Sequence, residues 1–189
     1  MISRARTRVI PSSISYLSRS IMTKTVADLC DDAIPSPGRV HVCEANYFKP
    51  YGLHGSFHGK IRTCRIFESN PLVRSILSTP GGGDVLVVDG GMSMRTALMG
   101  DQIAKLAVEN GWAGVIINGC IRDSAIINTL PLGVKARGTV PVKSLKGHAG
   151  EQGVAVAFAG VEFVEGWHVY ADEDGVIVSE EELSLEEKE

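Results

Sequence analysis

Two runs in this chain leave little freedom in how it can fold. Asp84-Val-Leu-Val-Val88 and Gly114-Val-Ile-Ile-Asn118 are apolar without alternation. A strand that is apolar on both faces must be covered on both faces, as in the parallel layers of α/β proteins. Between the runs, Ile103, Leu106, Ala107 and Asn110 recur at helical spacing, so residues 101–110 are expected to form an amphipathic helix. Gly111 suits the end of that helix. Strand, helix, strand in this order is a crossover within one parallel layer, and such crossovers are right-handed.

The flanks are read around this unit. Thr25 is placed to cap a helix that opens at Val26-Ala27-Asp28, within 23–30. Residues 34–38 (Ile-Pro-Ser-Pro-Gly) read as a loop, and the glycine-rich alternation of 52–66 as strands joined by tight turns. Pro71 to Leu77 is a short helix. A second short helical piece is expected at 124–130, with a strand from Gly133 to Ala136. The end is β-rich: 154–158, 161–163, and a hairpin over 168–179 that turns at Asp174-Gly175. At 189 residues the chain is read as one α/β domain over 23–180, preceded by an extension (1–22) and followed by an acidic tail (181–189).

Charge and cysteines narrow the function classes. Arg4, Arg6, Arg8 and Arg19 lie in a serine-rich start without Asp or Glu. Such a start resembles a mitochondrial transit peptide. It reads equally as a disordered arm, or as an upstream extension with Met22 as the functional start, and Pro11 interrupts any long amphipathic helix there. The corresponding locations are mitochondrion and cytoplasm. Without those four arginines the chain carries 15 basic against 22 acidic residues, a net of −7. An acidic body argues against general nucleic-acid binding, which needs clustered cations. No apolar run approaches the roughly 20 residues of a membrane-spanning helix. Cys30, Cys43, Cys64 and Cys120 form no CxxC pair or zinc spacing and read as reduced thiols of an intracellular protein.

Several motifs carry less than they suggest. The glycines at 81–83 precede a strand, whereas phosphate loops follow one and open a helix, so they read as a turn. His41, His54, His58, His148 and His168 show neither HExxH nor HxH spacing. Ser93 and Ser124 lack a nucleophile elbow. Gly100-Asp101-Gln102-Ile103 opens the expected helix. It is either a cap or a place where free backbone N–H groups hold a carboxylate. The stretch "NGCIRDSA" (118–125) places Arg122 and Asp123 just past the end of a buried strand, where ligands of α/β sheets bind. The start of the crossover helix should face the same edge, which brings Asp101 near Arg122. A surface ion pair of little energetic worth fits that position equally well.

The segment "GGGDVLVVDGGMSMRTALMGDQIAKLAVENGWAGVIINGCIRD" (81–123) resembles the family of regulator of ribonuclease activity A and its enzymatic relatives, the 4-hydroxy-4-methyl-2-oxoglutarate aldolases. The resemblance extends through "TVADLCD" (25–31), "LGVKARGTVPVKS" (132–144) and "HVYADEDGVIVS" (168–179). It implies a layered β/β/α sandwich like the swivelling phosphohistidine domain, and a homotrimer with sites at subunit interfaces. One branch performs retro-aldol cleavage that yields pyruvate, with oxaloacetate decarboxylation, using Mg²⁺ or Mn²⁺. The other binds a ribonuclease and inhibits it without catalysis.

The enzymatic branch carries an acidic residue ahead of an Arg-Asp pair, matched here by Asp101 and Arg122-Asp123. The resemblance then implies that the amides of Gly100, Asp101, Gln102 and Ile103 bind the 2-keto acid's carboxylate. Arg122 would bind its keto and carboxylate oxygens, and Asp123 would hold the metal. A water there, helped by Asp101, would take the substrate's 4-hydroxyl proton. Many enzymatic members have an acid where this chain has Ile126. A neighbouring chain would supply a further acid, for which Glu44 is one candidate. The expectation is therefore a metal-dependent lyase acting on a small 2-keto acid, with a non-catalytic ribonuclease regulator as the alternative.

Overall fold

The computed structural model describes residues 22–186 except 35, 37 and 148. The reading of the N-terminal extension falls on residues 1–21, outside those described. Helix α1 (Val26–Ala33) begins where Thr25 predicted, with a complete capping box. The Asp28 amide donates to the Thr25 hydroxyl at 3.1 Å, and the Thr25 amide donates back to the Asp28 carboxylate at 2.9 Å.

Short strands β1 (His41–Val42) and β2 (Lys49–Tyr51) lead into β3 (Phe57–Arg65), then α2 (Pro71–Leu77) and β4 (Val85–Asp89). Next come β5 (Ala97–Met99), α3 (Asp101–Glu109), β6 (Gly114–Ile121), α4 (Ser124–Ile127) and β7 (Gly133–Thr139). The chain closes with β8 (Glu151–Gln152), β9 (Val156–Phe158), β10 (Val161–Phe163), β11 (His168–Ala171) and β12 (Val176–Ser179). The strands β3, β4, β6 and β7 are parallel neighbours in that order, as the two apolar runs required.

Segment 52–66 differs from expectation. Gly52 makes a turn at φ +82°, but 57–65 is one long strand. Its interior glycine, Gly59, serves close approach instead of turning, since a Cβ there would lie 2.3 Å from the Gly83 carbonyl. This strand belongs to two layers. Residues 57–60 pair antiparallel with β11, while 61–65 pair parallel with β4. Beyond β11 lie β12 and β1, both antiparallel.

Period-2 alternation then sorts the core. Leu86, Val88, Val115, Ile117, Val134 and Ala136 pack with the apolar faces of α2 and α3. Val85, Val87 and Ile116 pack the other way, against Phe57, Phe163, Val169 and Val178. The result is helices, parallel sheet and second β layer, the β/β/α sandwich expected. Phe57 locks the two β layers together. Its ring lies on the bare backbones of Gly114 and Gly133, where a Cβ would come within 2.4 Å and 2.0 Å of ring carbons.

The ends of the domain meet at Asp172. One carboxylate oxygen accepts the Val26 amide at 2.7 Å, and the other accepts the Asp174 amide at 3.0 Å in the β11–β12 turn. Lys135, buried in β7, donates to the Asp172 carbonyl, and burial pushes its pKa down. Within the acidic tail, Leu183 is buried and its amide donates to the Tyr170 hydroxyl at 2.6 Å. Among the described residues no helix is long and apolar enough to cross a membrane.

Gly133→Ala should drive a methyl into the Phe57 ring and lower the unfolding free energy by about 1–3 kcal/mol. Denaturant titration reads this, and adding Phe57→Leu should recover part of the loss.

Candidate active site

The parallel strands β3, β4, β6 and β7 all end at one edge. Strand β6 is buried over its whole length and becomes charged only on leaving the core. The alignment slips twice just before it does so. Relative to β7, β6 carries one extra residue between Ile117 and Cys120. Relative to β6, β5 carries one extra between Ala97 and Met99. Such bulges bend strands and re-aim the residues that follow. The Arg122 amide then donates to the Met99 carbonyl at 2.9 Å, which sets the end of β6 beside the start of α3.

Gly100 lies at that junction as the N-cap of α3 and makes no side-chain cap. A Cβ on it would be 2.7 Å from Asp123 Oδ2 and 3.2 Å from Arg122 Nε. The missing side chain is what lets the two charged groups close over the helix start. Arg122 Nε and Asp123 Oδ2 are 3.3 Å apart, and both side chains are about a third exposed, at 39% and 36%.

Asp123 sits in the left-handed region, at φ 57° and ψ 33°. Aspartate tolerates this conformation better than most residues. As N-cap of α4 it uses its carbonyl, which accepts the Ile126 and Ile127 amides at 3.0 Å and 3.1 Å. Its carboxylate makes no cap bond, unlike the usual N-cap aspartate. Fully buried Ile127 anchors the short helix, while Ile126 is exposed on the turn that follows Asp123.

Asp101 occupies the first turn of α3, with its Oδ2 2.8 Å from Lys105 Nζ one turn on. The Lys105 ammonium, then the Gln102 amide and the Arg122 charge, hold the Asp101 carboxyl below its ordinary range against a smaller opposing effect of burial. Gly100, Asp101, Arg122 and Asp123 are thus brought together at one edge. Gln102 is exposed beside them. Ile103 points its side chain into the core, and its amide already donates to the Gly100 carbonyl at 3.1 Å. Glu44 lies elsewhere in the chain, its amide donating to Ala159 at 2.8 Å and its side chain against Gly160.

One group escaped the sequence reading. Asn118 is buried near the end of β6. Its side chain accepts from the Tyr47 hydroxyl at 2.9 Å and donates to Asp89 Oδ1 at 2.9 Å. The Arg137 guanidinium stands 4.0 Å over the Tyr47 ring. This row ties β4, β6 and β7 together. The only signal was an asparagine closing an apolar run.

A hard divalent cation suits this donor set. Asp123 keeps a carboxylate uncommitted to its helix, and Mg²⁺ or Mn²⁺ is commonly held by one or two carboxylates with waters completing the shell. Among the described residues no three His, Cys, Asp or Glu side chains converge into a closed cage.

A family model described as RraA-like (Aldolase/RraA) matches residues 26–178. The chain belongs to the RraA-like family. A relative from Aromatoleum aromaticum, provisionally named a 4-hydroxy-4-methyl-2-oxoglutarate aldolase, is 55% identical over 83% of this chain and 96% of its own length. One of the same name from Laribacter hongkongensis is 51% identical over 83% and 96%. Two solved structures share the fold. That described as the S-adenosylmethionine:2-dimethylmenaquinone methyltransferase of Geobacillus kaustophilus has a TM-score of 0.80 and 50% identity, covering 85% of this chain and 97% of its own. The RNA-processing inhibitor RraA of Thermus thermophilis has a TM-score of 0.78 and 40% identity, covering 82% and 94%. These relatives carry different functional names, so the fold alone does not choose among activities.

Gly100→Ala should leave the core intact and displace Arg122 and Asp123. The expected result is an unchanged circular dichroism spectrum with a shifted Arg122 Nε–Hε resonance in NMR; an unmoved resonance would mean that the contact is slack.

Proposed function

We propose that this RraA-like protein is a divalent-metal-dependent lyase. It cleaves 4-hydroxy-4-methyl-2-oxoglutarate to pyruvate and also decarboxylates oxaloacetate. The observation that carries this reading is the convergence of Asp101, Arg122 and Asp123 over the bare backbone of Gly100. The names of the bacterial relatives support the same class of chemistry.

Both reactions break the bond between C3 and C4 of a 2-keto acid and leave its electrons on a pyruvate enolate. Arg122 supplies a fixed cation whose planar fork suits the substrate's carboxylate and the developing enolate oxygen. The start of α3 adds backbone N–H groups and the positive end of a helix dipole for the carboxylate. Asp123 would hold Mg²⁺ or Mn²⁺, and the bound cation supplies Lewis-acid stabilisation of the enolate charge.

Asp101 separates the two reactions. Retro-aldol cleavage requires loss of the 4-hydroxyl proton as the bond breaks, and a water helped by Asp101 would take it. Decarboxylation releases CO₂ and has no such proton to remove. The reading extends to a homotrimer. Phe67, Met92, Met94, Val142 and Leu145, all exposed and apolar, lie on the connections beyond the same strand ends, where another subunit would cover them.

A second reading, a non-catalytic partner of a ribonuclease, rests on the solved RNA-processing inhibitor. It predicts capture of the ribonuclease that survives Asp123→Ala.

Pyruvate release coupled to lactate dehydrogenase tests the enzyme, with each substrate supplied separately and metal-only blanks. EDTA should stop both reactions and added Mg²⁺ restore them. Arg122→Ala should abolish both without unfolding the protein. Asp101→Asn should cut aldol cleavage about 10²-fold and decarboxylation far less. Equal losses would remove Asp101 from the proton transfer. Because the Asp101 carboxyl is held low, it stays ionised as pH falls. The part of the cleavage rate that depends on Asp101 should therefore be lost only below the ordinary aspartate value of about 3.9, read from the difference between the wild-type and Asp101→Asn pH profiles.

A further inference from the structure

After β7 the chain runs as a strap, 140–146, from the end of β6 to the loop that follows β3. Backbone hydrogen bonds fasten it. The Val140 amide donates to the Ile121 carbonyl at 3.0 Å, the Ala97 amide to the Val142 carbonyl at 2.8 Å, and the Leu145 amide to the Glu68 carbonyl at 2.9 Å. Two of these bonds adjoin the site. Ile121 immediately precedes Arg122, and Ala97 opens β5, whose Met99 carbonyl accepts the Arg122 amide. Of the strap's own residues only Ser144 is buried. Its hydroxyl has no hydrogen-bond partner among the described residues and almost no surface open to water, and the same holds for the hydroxyl of Thr96. The two residues, 6% and 8% exposed, flank the seam where Ala97 pairs with Lys143.

A buried hydroxyl without a partner has given up its bonds to water and gained none in exchange. That cost falls on the closed strap alone, because parting the seam hydrates both oxygens. An alanine at 144 would hold the strap more firmly than the serine does. Segments with few buried apolar contacts open locally at free energies below that of global unfolding. We propose that the strap is a built-in release: it opens as a unit while the domain stays folded, the two dry hydroxyls at its seam set how often, and each opening unfastens the backbone around Arg122. As control of the active site this rests on the lyase reading. The opening itself does not, and it is measured without turnover.

Native-state hydrogen exchange of the full chain, read by NMR in urea below the unfolding transition, tests it. In the wild type the amides of Ala97, Arg122, Val140 and Leu145 should share one opening. They should exchange at least about a hundredfold faster than those of Val115, Ile116 and Ile117 in the middle of β6, and depend less steeply on urea. Ser144→Ala and Thr96→Val each remove one dry hydroxyl, and each should raise the protection of the four amides about tenfold. Val142 and Leu145 are exposed on the strap, and a subunit covering them would add to its closing, so all variants are compared at one protein concentration.

Exchange of the four amides only with global unfolding would overturn the release. Protection that falls or stays unchanged in both variants would overturn the role of the hydroxyls. An Arg122 amide that does not follow the other three would detach the strap from the site and overturn the control. If the wild-type protein releases pyruvate from neither substrate, the lyase reading fails separately, and the exchange measurement still decides the strap.

Discussion

Burial of β6 on both faces is the constraint from which the rest follows. A strand covered on one side by helices and on the other by a second β layer has no room for a charge along its length. Its eight residues are accordingly all buried, and the chain's polar chemistry is deferred to the point where it emerges. Arg122 and Asp123 occupy that point. The crossover that covers one face of the sheet is α3, and its first turn returns to the same edge. The packing that excludes charge from the middle of the sheet thus concentrates it at one end.

What happens at that end depends on small features of backbone geometry. Two one-residue slips flank Cys120 and set the direction in which the chain leaves the sheet. A left-handed aspartate then turns it into α4 without spending its carboxylate on the cap. Residues in sparsely populated backbone regions persist only where surrounding structure over-determines them. Here the buried Ile127 and the Arg122–Met99 hydrogen bond supply that determination on either side. The geometry is thus held by apolar packing behind it, while the charged atoms stay accessible in front.

Much of this is legible in the sequence. The β4–α3–β6 unit could be read because both strands lack alternation and the helix between them has it, and these signals are local. Asp101 and Arg122-Asp123 could be chosen because topology sends a helix start and a strand end to one edge, and because the surrounding blocks resemble a known family. What escaped is non-local. Gly59 carried the composition of a turn, and only the approach of Gly83 shows why a straight strand needs glycine there. Strands β2, β5 and β8 are two or three residues long, too short to show a period. The contact of Gly100 with the Arg-Asp pair joins residues more than twenty apart, and its cause is an atom that is missing.

The carboxylate of Asp172 has a consequence for how the molecule is assembled. It receives the first amide of α1 from a residue 146 positions earlier, and β11, the strand just before it, pairs with β3, more than a hundred positions back. Long-range contacts of this kind slow folding, because the loop must close before they are rewarded. On a ribosome the first helix would emerge with its final partner still unmade. The β4–α3–β6 crossover pairs residues only 29 positions apart and could form in the meantime. Synthesis of the last hairpin would then complete both the second β layer and the docking of the helix that began the domain, so its two ends become native in a single late event.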